Sequence, residues 1–169
     1  MKHYYKVLFF VLLIFSCYKP DDGIVKEPFI ATSTSFGGYI AWKLEATKTG
    51  TDTTLAAAHQ GLLTNVTRKI YYKNGQSRVD STYPIGTLIV KESRNDSAIV
   101  EIVAMAKRGS GFNTEAGNWE WFLLENKGGT VSIKKDSSGN ELRGGAAMMG
   151  GMCNNCHKAA KSKDFTFSK

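Results

Sequence analysis

Five runs between residues 66 and 135 are rich in β-branched and aromatic side chains and end at polar or glycine-bearing breaks. They cover Val66–Tyr72, 86–92, 97–107, 118–124 and 130–135. Such side chains suit a pleated, half-buried surface. Strands joined by turns in this way predict an antiparallel meander. Asn74-Gly75 is a strong turn signal after the first run, and Gly128-Gly129 divides the last two. Short helices are expected at 55–59, an alanine-rich stretch closing before Gly61, and at 156–162. The expected class is therefore α+β, predominantly antiparallel β-sheet with a few short helices.

Alternation along 97–107 divides its side chains into two sets. Val100, Ile102, Ala104 and Ala106 form a plain core face. Glu101, Val103, Met105 and Lys107 form a mixed face of the kind that walls a ligand or meets solvent. Thr87, Ile89 and Lys91 share a face on the preceding strand, and Trp119 and Trp121 share one on a later strand. These aromatics read first as core packing, with the wall of a cofactor pocket as the sharper alternative.

The amino terminus has a different grammar. Lys2 and Lys6 precede an unbroken apolar run at 7–15, followed by Ser16 and Cys17. Basic, apolar, then small is the order of an export signal. The run falls well short of the ~20 residues a spanning helix requires. Ile14, Phe15, Ser16 and Cys17 resemble a bacterial lipobox, which implies cleavage before Cys17 and lipid on that residue. Expected organisation is a lipoprotein signal peptide at 1–16, a lipid-anchored tether at 17–29 and one domain at 30–169. The protein would then sit in the bacterial cell envelope, held to a membrane on its extracytoplasmic side. Stable attachment of a soluble domain takes more than one acyl chain.

The formal charge is +7, or +5 once Lys2 and Lys6 are set aside. It is spread along the chain, and no basic run exceeds a pair such as Lys134-Lys135. A nucleic-acid partner needs a concentrated basic footprint, which is missing.

With Cys17 consumed by lipid, a single pair of cysteines remains, in Cys153-Asn154-Asn155-Cys156-His157. C-x-x-C-H is the attachment signature of c-type haem. Two thiols add across the two vinyl groups, and the spacer lets both reach one edge of the macrocycle. The adjacent histidine then lies under the ring as proximal iron ligand. Three rivals use the same residues. Zinc would need Cys153, Cys156, His157 and a fourth donor, His59 being the other histidine beyond the leader. A redox dithiol belongs after a strand in an α/β fold. A plain disulfide is the third. For the sixth iron position the candidates are Met105, Met148, Met149, Met152 and His59. Methionines also fill loops and cores, and His59 also reads as a helix-end residue.

Further segments accompany the motif: Trp42-Lys43-Leu44, Arg68-Lys69-Ile70-Tyr71, Tyr83-Pro84-Ile85-Gly86-Thr87-Leu88-Ile89-Val90-Lys91-Glu92, Met105-Ala106-Lys107-Arg108, Gly117-Asn118-Trp119-Glu120-Trp121 and Asp164-Phe165-Thr166-Phe167. In this order, the chain resembles the cytochrome P-460 family, which includes the cytochromes c-prime beta, over about residues 36–168. The resemblance implies a sheet-rich fold with one covalent haem c near the carboxyl terminus, a homodimer, and five-coordinate iron with an open distal side. In the family's enzymes a lysine is cross-linked to the haem, and a nearby carboxylate assists oxidation of hydroxylamine. Lys91 matches that lysine. Val103 stands where the carboxylate would be, with Glu101 one alternation away, so the expected distal pocket is Glu101, Val103 and Met105. Relatives with apolar pockets are linked to nitric oxide or carbon monoxide.

The expected function is a lipid-anchored monohaem cytochrome binding a small diatomic or nitrogen-oxide ligand at an open distal site. A six-coordinate electron carrier serving a redox partner protein is the alternative. A hydroxylamine-oxidising enzyme is the third.

Overall fold

The computed structural model describes residues 27–167 except 56 and 57. The leader, Cys17 and most of the tether lie outside the described residues. No helix among the described residues is long and apolar enough to cross a membrane.

The chain forms a seven-stranded, wholly antiparallel sheet. Its strands are β1 (Lys43–Thr49), β2 (Val66–Tyr72), β3 (Leu88–Asn95), β4 (Ala98–Lys107), β5 (Trp119–Lys127), β6 (Thr130–Ile133) and β7 (Arg143–Gly144). The first six follow one another in space as in sequence, and β7 adds to β5. The class is α+β, dominated by antiparallel sheet.

The five expected strands are β2 to β6. β1 was not anticipated, because its charged residues, Lys43, Glu45 and Lys48, obscure any apolar rhythm. A charged, largely exposed edge strand resists pairing with other chains. Asn74 and Gly75 do turn the chain, both with left-handed backbone (φ 57° and 59°), inside a short 3-10 turn.

Both helix expectations need correction. At 55–59 the described residues form 3-10 turns, Thr53–Leu55 and Ala58–Gln60, and His59 and Gln60 have φ of 50° and 59°. No continuous helix passes through those angles. Near the carboxyl terminus, α1 runs Met152–His157 and a 3-10 segment follows at Lys158–Lys163. The helix starts earlier than residue 156, and Asn154 within it is tied to the sheet through Trp121.

The sheet is covered on both faces. Tyr71, Leu88, Val90, Ile102, Ala104 and Phe122 pack against Phe36 and Tyr39 from the amino-terminal turns. Val100, expected in this set, is 41% exposed near the start of β4. Ile70, Ile89, Met105, Trp119 and Trp121 form the opposite face and pack against Phe165 and the partly buried Cys153. The two alternating sets of β4 thus separate as expected, and the mixed set faces the carboxyl-terminal segment.

Candidate functional site

Between the second face and the carboxyl-terminal segment lies a cavity of about 380 Å³. Its floor is built by cross-strand rows. Ile89, Met105 and Trp121 are register partners across β3, β4 and β5, and so are Lys91, Val103 and Leu123. All six line the cavity. Its roof comes from α1, with Cys153, Cys156 and His157. His59 and Glu101 stand at its side. Every site residue expected from the sequence, apart from Cys17, therefore meets in one place.

The two thiols are three residues apart on one helix and so share a side. Both are free. Burial pushes the Cys153 thiol above its usual value, with Cys156 adding to the effect. A reactive dithiol needs the opposite, a stabilised thiolate. Together with the antiparallel sheet, this disfavours a thioredoxin-like role. The described histidines, cysteines and acids form no group of three or more able to hold a bare metal ion.

His157 is fixed from several sides. Its Nδ1 lies 2.6 Å from the carbonyl oxygen of Phe165. Its ring packs on Trp121 at 4.6 Å and on Phe167 at 5.2 Å between centres. Burial pulls its pKa to about 4, helped by His59 and Lys91 and opposed by the Phe165 carbonyl. The ring is thus neutral at pH 7, with its proton on Nδ1 donated to that carbonyl. Nε2 keeps its lone pair, the arrangement that suits a metal-ligating histidine.

Lys91 is unusual for a lysine. Burial lowers its pKa to about 8, and only Glu101 among the main influences from acids favours its charge strongly enough to rank second. Val103 is its direct partner on β4. Glu101 instead meets His59, with Oε2 3.1 Å from Nδ1. The rings of His59 and His157 lie 6.5 Å apart and nearly perpendicular, at 88°.

Several positioning residues were not legible from the sequence. Asn154, inside the C-x-x-C spacer, is 2% exposed. It exchanges amide hydrogen bonds with Asn113 at 2.9 and 3.0 Å and accepts from Trp121 Nε1 at 2.8 Å. This locks α1 onto β5. Asp164, also buried, accepts from Lys107 Nζ at 2.7 Å and from the Tyr83 amide at 2.7 Å. Trp119 Nε1 donates to the Asp164 carbonyl at 2.8 Å. Asp164 and Phe165 have φ of 52° and 61°, so these contacts hold an awkward bend. A side chain on Gly117 would come within 2.8 Å of Asp164 and 2.9 Å of Phe165, so only glycine fits there. A short motif carries no trace of such long-range partners.

Comparison with known protein families, curated proteins and solved structures finds no match.

Proposed function

We propose that this protein is a monohaem c-type cytochrome that binds a small ligand such as nitric oxide, as its resemblance to the cytochrome P-460 family implies. The observation that carries the reading is the convergence of Cys153, Cys156 and His157 on the roof of one apolar cavity. The donor set fits the group: two free thiols one helical turn apart, followed by a neutral imidazole with Nε2 free to bind iron. The cavity volume falls within the ~300–1,000 Å³ of small-molecule sites.

Haem, when bound, supplies a redox-active iron able to take up small ligands. Cys153 and Cys156 would hold it covalently, and His157 would furnish the proximal nitrogen. Trp121, Phe167 and the Phe165 carbonyl fix the plane of that ring. Val103, Met105 and Leu123 make an apolar wall that sheds water and bulky anions while admitting a neutral diatomic. The wall pairs Val103, not a carboxylate, with Lys91, and Glu101 is engaged by His59. Both features favour ligand binding over hydroxylamine oxidation. An amino-terminal lipid on Cys17 would place the domain at the extracytoplasmic face of a membrane.

The test is expression in a cell that assembles c-type cytochromes, followed by acidified solvent extraction of the denatured protein. Haem should stay with the chain, and the ferrous protein should bind carbon monoxide. Haem that extracts freely refutes the reading.

A further inference from the structure

Ile70 and Tyr72 stand two residues apart on β2 and so share a face. Ile70 lines the apolar cavity, whereas Tyr72 lines a second cavity of about 330 Å³ toward the edge of the sheet. Lys43 and Glu45 of β1 contribute to its wall, as do Gln76, Arg78 and Tyr83 of the segment after β2. This pocket is polar where the first is apolar, and its size lies at the lower end of small-molecule sites.

Among the described residues, three buried side-chain atoms find no hydrogen-bond partner: Gln76 Oε1, Arg78 Nη1 and Ser93 Oγ. Two of the three belong to residues lining this one pocket. Buried polar groups are nearly always satisfied, so two exceptions side by side call for a cause. The charges do not balance either. Glu45 is the acid of the pocket, and it pairs with Lys43 at 3.4 Å. The Arg78 guanidinium instead lies 5.7 Å from the centre of the Tyr83 ring. An aromatic face holds a cation in place without neutralising it.

An unpaired N–H cation beside an unpaired carbonyl oxygen calls for one ligand that carries both an anionic oxygen and an O–H donor. With Lys43 and Glu45 cancelling, Arg78 leaves a single positive charge, which suits a monoanion. The nearby Glu45 carboxylate opposes a doubly charged ion such as hydrogen phosphate. Tyr72 and Tyr83 are buried aromatics that offer a short carbon skeleton an apolar surface.

We infer that this pocket binds a small hydroxycarboxylate, its carboxylate accepting from Arg78 Nη1 and its hydroxyl donating to Gln76 Oε1. The site is separate from the proposed haem site and does not depend on the haem reading.

The test is isothermal titration of the full chain with lactate, acetate and lactamide. Lactate should bind saturably. Acetate lacks the hydroxyl and lactamide lacks the charge, so each should bind roughly tenfold more weakly or worse, as loss of one such hydrogen bond requires. Arg78→Leu should weaken lactate by a similar factor. Gln76→Leu should bind lactate no better than acetate. Thermal melting keeps a lost site apart from a disturbed fold. Lactate should raise the melting temperature of the wild type. Arg78→Leu removes an unpaired group, so without ligand it should melt close to the wild type, and lactate should not raise it. Should Arg78→Leu melt far below the wild type, the lactate-to-acetate comparison in Gln76→Leu decides. Absence of saturable lactate binding overturns the inference and leaves the pocket to water. So does equal affinity of the wild type for lactate and acetate, full affinity in Arg78→Leu, or an undiminished preference for lactate in Gln76→Leu. None of these outcomes bears on covalent haem, which the extraction experiment tests by itself.

Discussion

The Phe165 carbonyl oxygen lies 2.6 Å from Nδ1 of His157. One backbone group thereby sets both the tautomer and the orientation of the imidazole. That carbonyl is itself positioned at a distance. Phe165 follows Asp164 in a left-handed bend, and Asp164 is gripped by Lys107, Tyr83 and Trp119. Lys107, Tyr83 and Trp119 thus set where the imidazole of His157 points.

Breaking that grip should cost stability and blur the site together. Asp164→Ala leaves Lys107 buried without its counter-charge, a loss of about 3–5 kcal/mol by precedent for one-sided removal. Pairing it with Lys107→Met should recover much of the loss. Urea denaturation of both variants measures this. Equal destabilisation by the single and double changes would show that the ion pair is not what holds the bend.

Asn154→Leu should act through a different route. It strands the Trp121 indole N–H and the Asn113 amide in a buried setting. Each orphaned group costs ~1–3 kcal/mol. Covalent haem should still form, since both thiols remain, but the yield should fall as α1 loosens from β5. An undiminished melting temperature would contradict the role assigned to this amide network.

The sheet was legible because β2 to β6 are runs of β-branched and aromatic residues that end at polar or glycine-bearing breaks, and β2 was bounded to the residue. Alternation placed Glu101, Val103 and Met105 on one face of β4 and Ile89 and Lys91 on one face of β3, but that these two faces join into one surface follows only from the strand register. β1 and β7 were not readable. One is an exposed charged edge and the other is two residues long. The roof of the cavity was partly legible, since C-x-x-C-H fixes its own local chemistry. The partners that aim it were not. Asn113 is 41 residues from Asn154 and Lys107 is 57 from Asp164, and no local pattern links them. The helix expected over 55–59 failed at His59, where tertiary hydrogen bonds from Arg68 outweigh local propensity.

In protein without haem, such as Cys153→Ala/Cys156→Ala, the His157 ring should make stability depend on pH. Its folded pKa is about 4, against an ordinary value of 6.5. Above 6.5 both states are neutral there and the residue contributes no slope. Between 6.5 and 4 the unfolded chain binds a proton that the folded chain refuses, so stability falls as pH falls. The full effect is on the order of 3 kcal/mol. Adding His157→Phe should remove this part of the slope. A pH profile from 7 to 4 that is the same with and without His157 would count against it.

Val103→Glu tests the floor of the cavity. Val103 and Lys91 are direct cross-strand partners on one face, so the new carboxylate lands beside Lys91. An opposite charge at such range favours the protonated amine and shifts a pKa by ~1–3 units. Lys91 should therefore rise from about 8 toward the ordinary lysine value. Labelling at Lys91 by an amine-selective reagent at pH 8 should slow by tenfold or more, read by peptide mass. The ion pair would also make the wall polar, so affinity for carbon monoxide should drop in the haem-loaded protein. Retained fast labelling would mean that the carboxylate turns away from Lys91. Unchanged gas affinity would mean that Val103 does not wall the ligand side of the iron.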